Sequence, residues 1–142
     1  MQVFFSLGTN LGDRKANIEE ALRLMDEAFG KHYGRISEVV ESEAWGFEGP
    51  DFLDVAVMYD LSVPAAEVLR ICKDIERRMG RDEEPGYDAQ GRRIYHSRPI
   101  DIDILLYGDE VIDTPELKVP HPLIDKRPFI KGPLMQIMEL ND

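Results

Sequence analysis

Asp101 and Asp103 stand in the run Ser97-Arg98-Pro99-Ile100-Asp101-Ile102-Asp103-Ile104-Leu105-Leu106. Ile100, Ile102, Ile104 and Leu106 alternate with Asp101, Asp103, Leu105 and Tyr107, and a β-branched run of that period reads as a strand. On a strand both carboxylates project from one face, about 6.6 Å apart along the axis at a rise of roughly 3.3 Å per residue. Carboxylates that close repel each other unless a cation lies between them. Mg²⁺ is the hard cation that suits carboxylate oxygens and usually brings substrate phosphates with it. Arg98, three residues before Asp101, could add a bidentate phosphate donor. The same pattern has a purely structural reading, because paired acids on an edge strand protect that edge from pairing with another chain.

There is no Gly-x-x-x-x-Gly-Lys-Ser/Thr loop and no Gly-x-Gly-x-x-Gly. Phosphate handling would therefore rest on two metal-binding carboxylates and basic side chains, which suffices where transfer needs positioning and charge neutralisation. The candidate donors are Lys73, Arg81, Arg92, Arg93, Arg98 and Arg127. Each alone reads as a solvated surface charge. Arg81 and Arg98 stand apart because they bracket residues 82–97, a stretch without periodicity that is expected to be a mobile lid. His121, between Pro120 and Pro122, reads either as a packed loop histidine or as a donor to a phosphate or ribose. Trp45, Phe52 and Phe129 read singly as core. Phe52 shares a strand face with Asp54, however, and an acid beside an aromatic ring suits a polar heterocycle whose amino-amidine edge donates hydrogen bonds.

The elements that must position these residues follow from periodicity. Gln2 to Leu7 is a short apolar strand, and Gly8 to Asp13 a turn. Ile18, Ala21, Leu22, Met25, Ala28 and Phe29 recur at helical spacing, with Gly30 as the stop. Ile36 to Val40 reads as a second strand. Glu43 to Pro50 reads as a loop, and Leu53, Val55, Val57, Tyr59 and Leu61 form the apolar face of a third strand. Pro64 opens a second helix through Val68, Leu69, Cys72, Ile75 and Met79, ended by Gly80. The Asp101/Asp103 strand follows. Val111-Ile112 reads as a short strand, Val119 to Pro122 as irregular, and Ile130 to Met138 as a last helix. Strand, helix, strand, strand, helix, strand is the ferredoxin-like βαββαβ order, an α+β fold with helices packed on one face of an antiparallel sheet.

Composition narrows the function classes. The 142 residues fit one domain, 1–142. Net charge is −11, which disfavours nucleic acid as a partner. The basic residues are uneven, 6 Lys/Arg in residues 1–70 and 11 in 71–142, so the second half holds what an anionic ligand needs. Cys72 is the single cysteine, which points to a reducing, cytoplasmic setting. No signal peptide and no membrane-spanning run is expected.

Phe52-Leu53-Asp54, Gly80-Arg81, Arg98-Pro99-Ile100-Asp101-Ile102-Asp103-Ile104-Leu105, and Val119-Pro120-His121-Pro122 with Arg127 and Phe129 resemble the 6-hydroxymethyl-7,8-dihydropterin pyrophosphokinases of folate biosynthesis. The likeness covers nearly the whole chain and begins at Gly8-Thr9-Asn10, similar to that family's Gly-Ser-Asn turn. It implies that ATP gives its β,γ-pyrophosphoryl group to the pterin hydroxymethyl oxygen and that AMP leaves. It implies two Mg²⁺ on Asp101 and Asp103, and lid arginines Arg81 and Arg98 on the triphosphate. Phe52 and Phe129 would sandwich the pterin, with Gly8, Ser42, Trp45, Gly46 and Asp54 on the same side. Lys73, Glu76, Tyr95, Ile104, His121 and Arg127 would form the nucleotide site.

The departures from the family pattern are Asp54 for Asn, Tyr95 for Trp, Lys73 for Gln, Glu83 for a frequent Arg, and a longer lid. Arg92 or Arg93 would take over from the missing arginine. The expected protein is a monomer that binds ATP and a pterin. The alternatives are another two-metal enzyme such as a nucleotidyltransferase, or a non-catalytic ferredoxin-like ligand-sensing module.

Overall fold

The computed structural model describes residues 1–43, 50–80 and 99–139. Strand β1 (Gln2–Thr9) leads into helix α1 (Arg14–Phe29). Asp13 caps α1, its carboxylate accepting the Ala16 N–H at 3.1 Å. Gly30 ends it at φ 72°, a left-handed conformation that favours glycine. Strands β2 (Arg35–Ile36) and β3 (Val40–Ser42) both pair with β4 (Phe52–Asp60). Helix α2 (Ala65–Arg78) follows Pro64, with Glu67 in its first turn and Arg77 and Arg78 in its last, as the helix dipole favours. Then come β5 (Asp101–Tyr107), the two-stranded ribbon β6 (Ile112–Asp113) and β7 (Lys118–Val119), a 3₁₀ turn at Ile124–Lys126, and α3 (Pro128–Glu139).

The main sheet runs β2-β4-β1-β5 with every pairing antiparallel and β3 continuing the β2 edge. With α1 and α2 as the two crossovers, this is the expected ferredoxin-like α+β arrangement. On one face, Val3, Phe5, Leu7, Val55, Val57 and Tyr59 pack against Ile18, Ala21, Leu24 and Met25 of α1 and Val68, Cys72 and Ile75 of α2.

Four details depart from the sequence reading. The helices do not all share one face: Ile130, Leu134 and Ile137 of α3 cover Phe4, Ala56, Met58 and Leu105 on the other side. The strand expected over 36–40 is split. Ser37 donates its N–H to the Ala56 carbonyl, and its Oγ accepts the Ala56 N–H, each at 2.9 Å, so a hydroxyl takes the place of a ladder carbonyl. Phe5 pairs with Ile104 but Phe4 with Leu106, so Leu105 is an inserted bulge residue. The bulge moves Tyr107 from the aspartate face into the α1/α2 core. The fourth departure is Val119, expected to open an irregular segment, which instead ends strand β7.

A part-buried polar contact anchors α1 to the sheet. The Tyr59 hydroxyl donates to Asp26 Oδ1 at 2.5 Å, and Asp26 Oδ2 lies 2.7 Å from His32 Nδ1. Tyr59→Phe removes a hydrogen bond to a charged group and is expected to destabilise the fold by about 1.5–3 kcal/mol. Urea denaturation checks this as a lower midpoint at unchanged slope. An unchanged midpoint would show that the contact contributes nothing.

Candidate active site

Among the described residues the second sheet face is covered at one end, and the site lies at the other. Three cross-strand rows show the change. Met58, Phe4 and Leu106 form an apolar row, Ala56, Ser6 and Asp103 the next, and Asp54, Gly8 and Asp101 the last. Apolar residues dominate where α3 packs and polar residues where it stops. Beyond its end lies a cavity of about 440 Å³ floored by these rows. Its walls come from α2, the β6–β7 ribbon, the segment around His121, and the start of α3.

Asp54 is buried, and Ser42 Oγ donates to its Oδ2 at 2.6 Å. Its Oδ1 lies toward Gly8, where an added Cβ would come within 3.1 Å of that oxygen and 3.5 Å of Phe52. Glycine at this position therefore leaves the space over the Asp54 row open. Burial pushes the Asp54 carboxyl from 3.8 up to about 6; Ser42 and Arg127 pull it down, and the Asp101 charge pushes it further up.

The folded protein therefore holds this proton more tightly than the unfolded chain does. Stability from Asp54 is full below pH 4, falls as pH rises toward 6, and stays lost above. The difference between 3.8 and about 6 corresponds to about 3 kcal/mol. Asp54→Asn should remove that slope, so its stability relative to the parent should grow by up to about 3 kcal/mol from pH 4 to pH 7. Chemical denaturation across that range checks it; a constant gap would contradict it.

Phe52 on β4 and Phe129 in the first turn of α3 both line the cavity, half-buried. The Arg127 guanidinium lies 5.9 Å from the Phe129 ring centroid, within cation–π range. Asp101 and Asp103 are half-buried on the floor, on one face of β5 as their spacing implied. His121 is tied down twice. Its N–H donates to the Leu105 carbonyl at 2.9 Å, and its Nδ1 accepts the Leu123 N–H at 3.1 Å. A nitrogen that accepts cannot carry a proton, so the ring is neutral with its hydrogen on Nε2. Burial lowers the His121 pKa and the Arg127 charge adds to this, against Asp101.

The cavity brings together most of the residues singled out from sequence: Gly8, Phe52, Asp54, Lys73, Glu76, Asp101, Asp103, His121, Arg127 and Phe129. Ile104 reaches it only at its edge, being 3% exposed and packed in the α1/α2 core. Ser42 enters through Asp54 and lines an adjoining groove against Phe129. Glu76, expected on the nucleotide, has its carboxylate on the Ile102 amide at 2.8 Å. Arg81, Arg92, Arg93, Arg98, Tyr95, Trp45, Gly46 and the 82–97 stretch lie outside the described residues. The sequence reading missed the ribbon segment Pro115 to Lys118, which walls the cavity. Two-residue strands carry too little alternation to be seen; the one available signal was Asp113 opposite Lys118, paired at 2.5 Å.

The donor set fits Mg²⁺. Among the described residues no three His, Cys, Asp or Glu side chains are grouped to hold a metal by themselves. Two carboxylates with the remaining ligands from phosphates and water is the usual Mg²⁺ arrangement. The electrostatics agree. Among the described lining residues, Glu43, Asp54, Glu76, Asp101, Asp103 and Glu116 face only Lys73, Lys118 and Arg127 as permanent cations. A polyphosphate would be repelled from such a wall without divalent cations.

The sequence model of the family described as 7,8-dihydro-6-hydroxymethylpterin-pyrophosphokinase matches residues 4–139. The chain belongs to this pyrophosphokinase family. Two curated relatives are named 2-amino-4-hydroxy-6-hydroxymethyldihydropteridine pyrophosphokinase. That of Aquifex aeolicus is 42% identical, over 95% of this chain and 79% of its own length. That of Porphyromonas gingivalis is 37% identical, over 95% of this chain and 89% of its own length. A mitochondrial folate synthesis bifunctional protein of Pisum sativum is 40% identical over 96% of this chain, which corresponds to 25% of that protein. The pyrophosphokinase match takes in every residue that lines the cavity. No helix among the described residues is long and apolar enough to cross a membrane.

Proposed function

We propose that this chain transfers the β,γ-pyrophosphoryl group of ATP to the hydroxymethyl group of 6-hydroxymethyl-7,8-dihydropterin, releasing AMP, as a step of folate biosynthesis. Membership of the pyrophosphokinase family supports the reaction. The observation that carries the assignment of the site is the row Asp54–Gly8–Asp101. It sets an acceptor for a heterocycle's donor edge two strand spacings, about 9–10 Å, from the first of the paired carboxylates. Gly8 between them leaves the face open. A bicyclic pterin anchored on Asp54 and stacked between Phe52 and Phe129 would extend its hydroxymethyl group toward Asp101 and Asp103.

The hydroxymethyl oxygen attacks the β-phosphorus, the bond from that phosphorus to the α,β-bridging oxygen breaks, and AMP departs with that oxygen. The hydroxyl proton passes to solvent or a nearby base. Asp101 and Asp103 would hold Mg²⁺, two ions by family likeness. Bound there, Mg²⁺ neutralises phosphate charge and stabilises the charge that develops during transfer. Neutral His121 offers its Nε2–H to an anionic oxygen with no change of protonation. Arg127 and Lys73 offset negative charge, Tyr95 and Ile104 belong to the nucleotide side, and Arg81 and Arg98 complete the triphosphate grip. Ser42, Trp45 and Gly46 belong to the pterin side. The proposed working unit is a single domain, 1–142, acting as a cytoplasmic monomer.

Incubation with ATP, Mg²⁺ and the hydroxymethyl-dihydropterin, followed by nucleotide analysis, tests the reading. AMP should appear in step with pterin consumed. Inorganic pyrophosphate would mean nucleotidyl transfer, and binding without turnover would mean a sensing module.

A further inference from the structure

Glu76 lies in the last turns of α2 and is 5% exposed. Its Oε2 accepts the Ile102 N–H at 2.8 Å, with both groups buried. Ile102 stands between Asp101 and Asp103, and its nitrogen belongs to the peptide that joins it to Asp101. Among the described residues β5 is an outer strand of the sheet. Backbone groups on its outer edge need partners other than a neighbouring strand. Glu76 supplies one for Ile102, and the His121 N–H supplies another for the Leu105 carbonyl. On the inner edge β1 holds Asp101 opposite Gly8 and Asp103 opposite Ser6. The segment that carries both aspartates is therefore gripped from two sides.

A carboxylate is a costly choice for this task. Burying an ionised acid is unfavourable, and more so beside a cavity already lined by Asp54, Asp101 and Asp103. What Glu offers is reach: from the α2 backbone its side chain spans the gap to the strand.

We propose that Glu76 is a positioning residue, which holds the Asp101–Ile102 peptide so that the carboxylates on either side of Ile102 meet a divalent cation in a fixed geometry. The proposal rests on the reading of Asp101 and Asp103 as metal ligands. It assigns Glu76 a task through the backbone, distinct from a direct contact with nucleotide. Groups that hydrogen-bond to metal ligands commonly contribute ten- to a hundredfold to metal affinity, and Glu76 acts one step further out, through the backbone between the two ligands.

Two mild substitutions separate reach from charge. Glu76→Asp keeps the charge and draws the acceptor back by one methylene. Glu76→Gln keeps the reach and an acceptor oxygen but loses the charge. The probes are amide exchange at Ile102 in the protein alone, and Mn²⁺ binding in the presence of α,β-methylene-ATP by water proton relaxation. In Glu76→Asp, Ile102 exchange should quicken and Mn²⁺ affinity should fall about tenfold or more. In Glu76→Gln both should stay within about threefold of the parent. The reverse order, with Gln weak and Asp normal, would make the charge decisive and overturn the proposal; normal Mn²⁺ affinity in both would also overturn it. Asp101→Asn serves as the reference. If it too leaves Mn²⁺ binding intact, the metal reading itself fails. If it abolishes binding while Glu76→Asp does not, only the role of Glu76 fails.

Discussion

Asp101→Ala and Asp103→Ala are each expected to lower turnover by about three orders of magnitude while leaving the fold intact. A divalent cation on a transferring phosphoryl group contributes several kcal/mol of charge stabilisation, and each 1.36 kcal/mol is a factor of ten. The fold should tolerate the change because both side chains are half-buried on the open part of the sheet face, away from the α3 contact. Removing one of two neighbouring carboxylates also relieves their repulsion, so thermal stability should hold or rise slightly. Saturating Mg²⁺ should not restore the rate. Near-normal turnover in either variant would remove the metal role from that residue.

Asp54→Ala should discriminate between the two substrates. A hydrogen bond to a charged group is worth about 1.5–3 kcal/mol, which corresponds to a loss of about 10- to 150-fold in pterin affinity. Affinity for an ATP analogue should change by no more than about twofold, because Asp54 sits at the β4 end of the row, across Gly8 from Asp101. Titration calorimetry with each ligand measures both values. Equal losses would show that Asp54 supports the cavity as a whole. The Ser42 hydroxyl already occupies Oδ2, which leaves Oδ1 as the oxygen turned to the ligand side.

Much of this arrangement was legible in the sequence because period-two patterning survives on β4 and on the first half of β5. Phe52 and Asp54 opposite Val55 and Val57, and Asp101 and Asp103 opposite Ile102 and Ile104, fall on the faces their alternation assigned. What the pattern could not give is where alternation is interrupted. The Leu105 bulge shifts the phase of β5, and a run of Ile, Leu and Leu looks equally apolar in either phase. The Ser37 hydroxyl substitutes for a backbone group, which no hydrophobic period reports. The placement of α3 was equally hidden. Ile130, Leu134 and Ile137 announce a helix but not which sheet face receives it, and among the described residues its stopping short is what leaves the Asp54 row uncovered. The family resemblance placed Glu76 in the nucleotide site, and only the tertiary contact with Ile102 reveals its carboxylate as a backbone acceptor. The pairing of Ser42 with Asp54, twelve residues apart, follows from β3 lying beside β4 and could not be read from either residue alone.

In the proposed function one sheet face carries pterin recognition and metal-assisted transfer on adjacent rows. A crystal structure of the complex with α,β-methylene-ATP, Mg²⁺ and 6-hydroxymethyl-7,8-dihydropterin tests it most directly, because the analogue replaces the bridging oxygen of the bond to be broken. Metal density is expected in contact with carboxylate oxygens of Asp101 and Asp103. The pterin is expected between Phe52 and Phe129, its amino-amidine edge on Asp54 and its hydroxymethyl oxygen directed at the β-phosphorus. A metal held elsewhere, or a pterin that leaves Asp54 without contact, would contradict it.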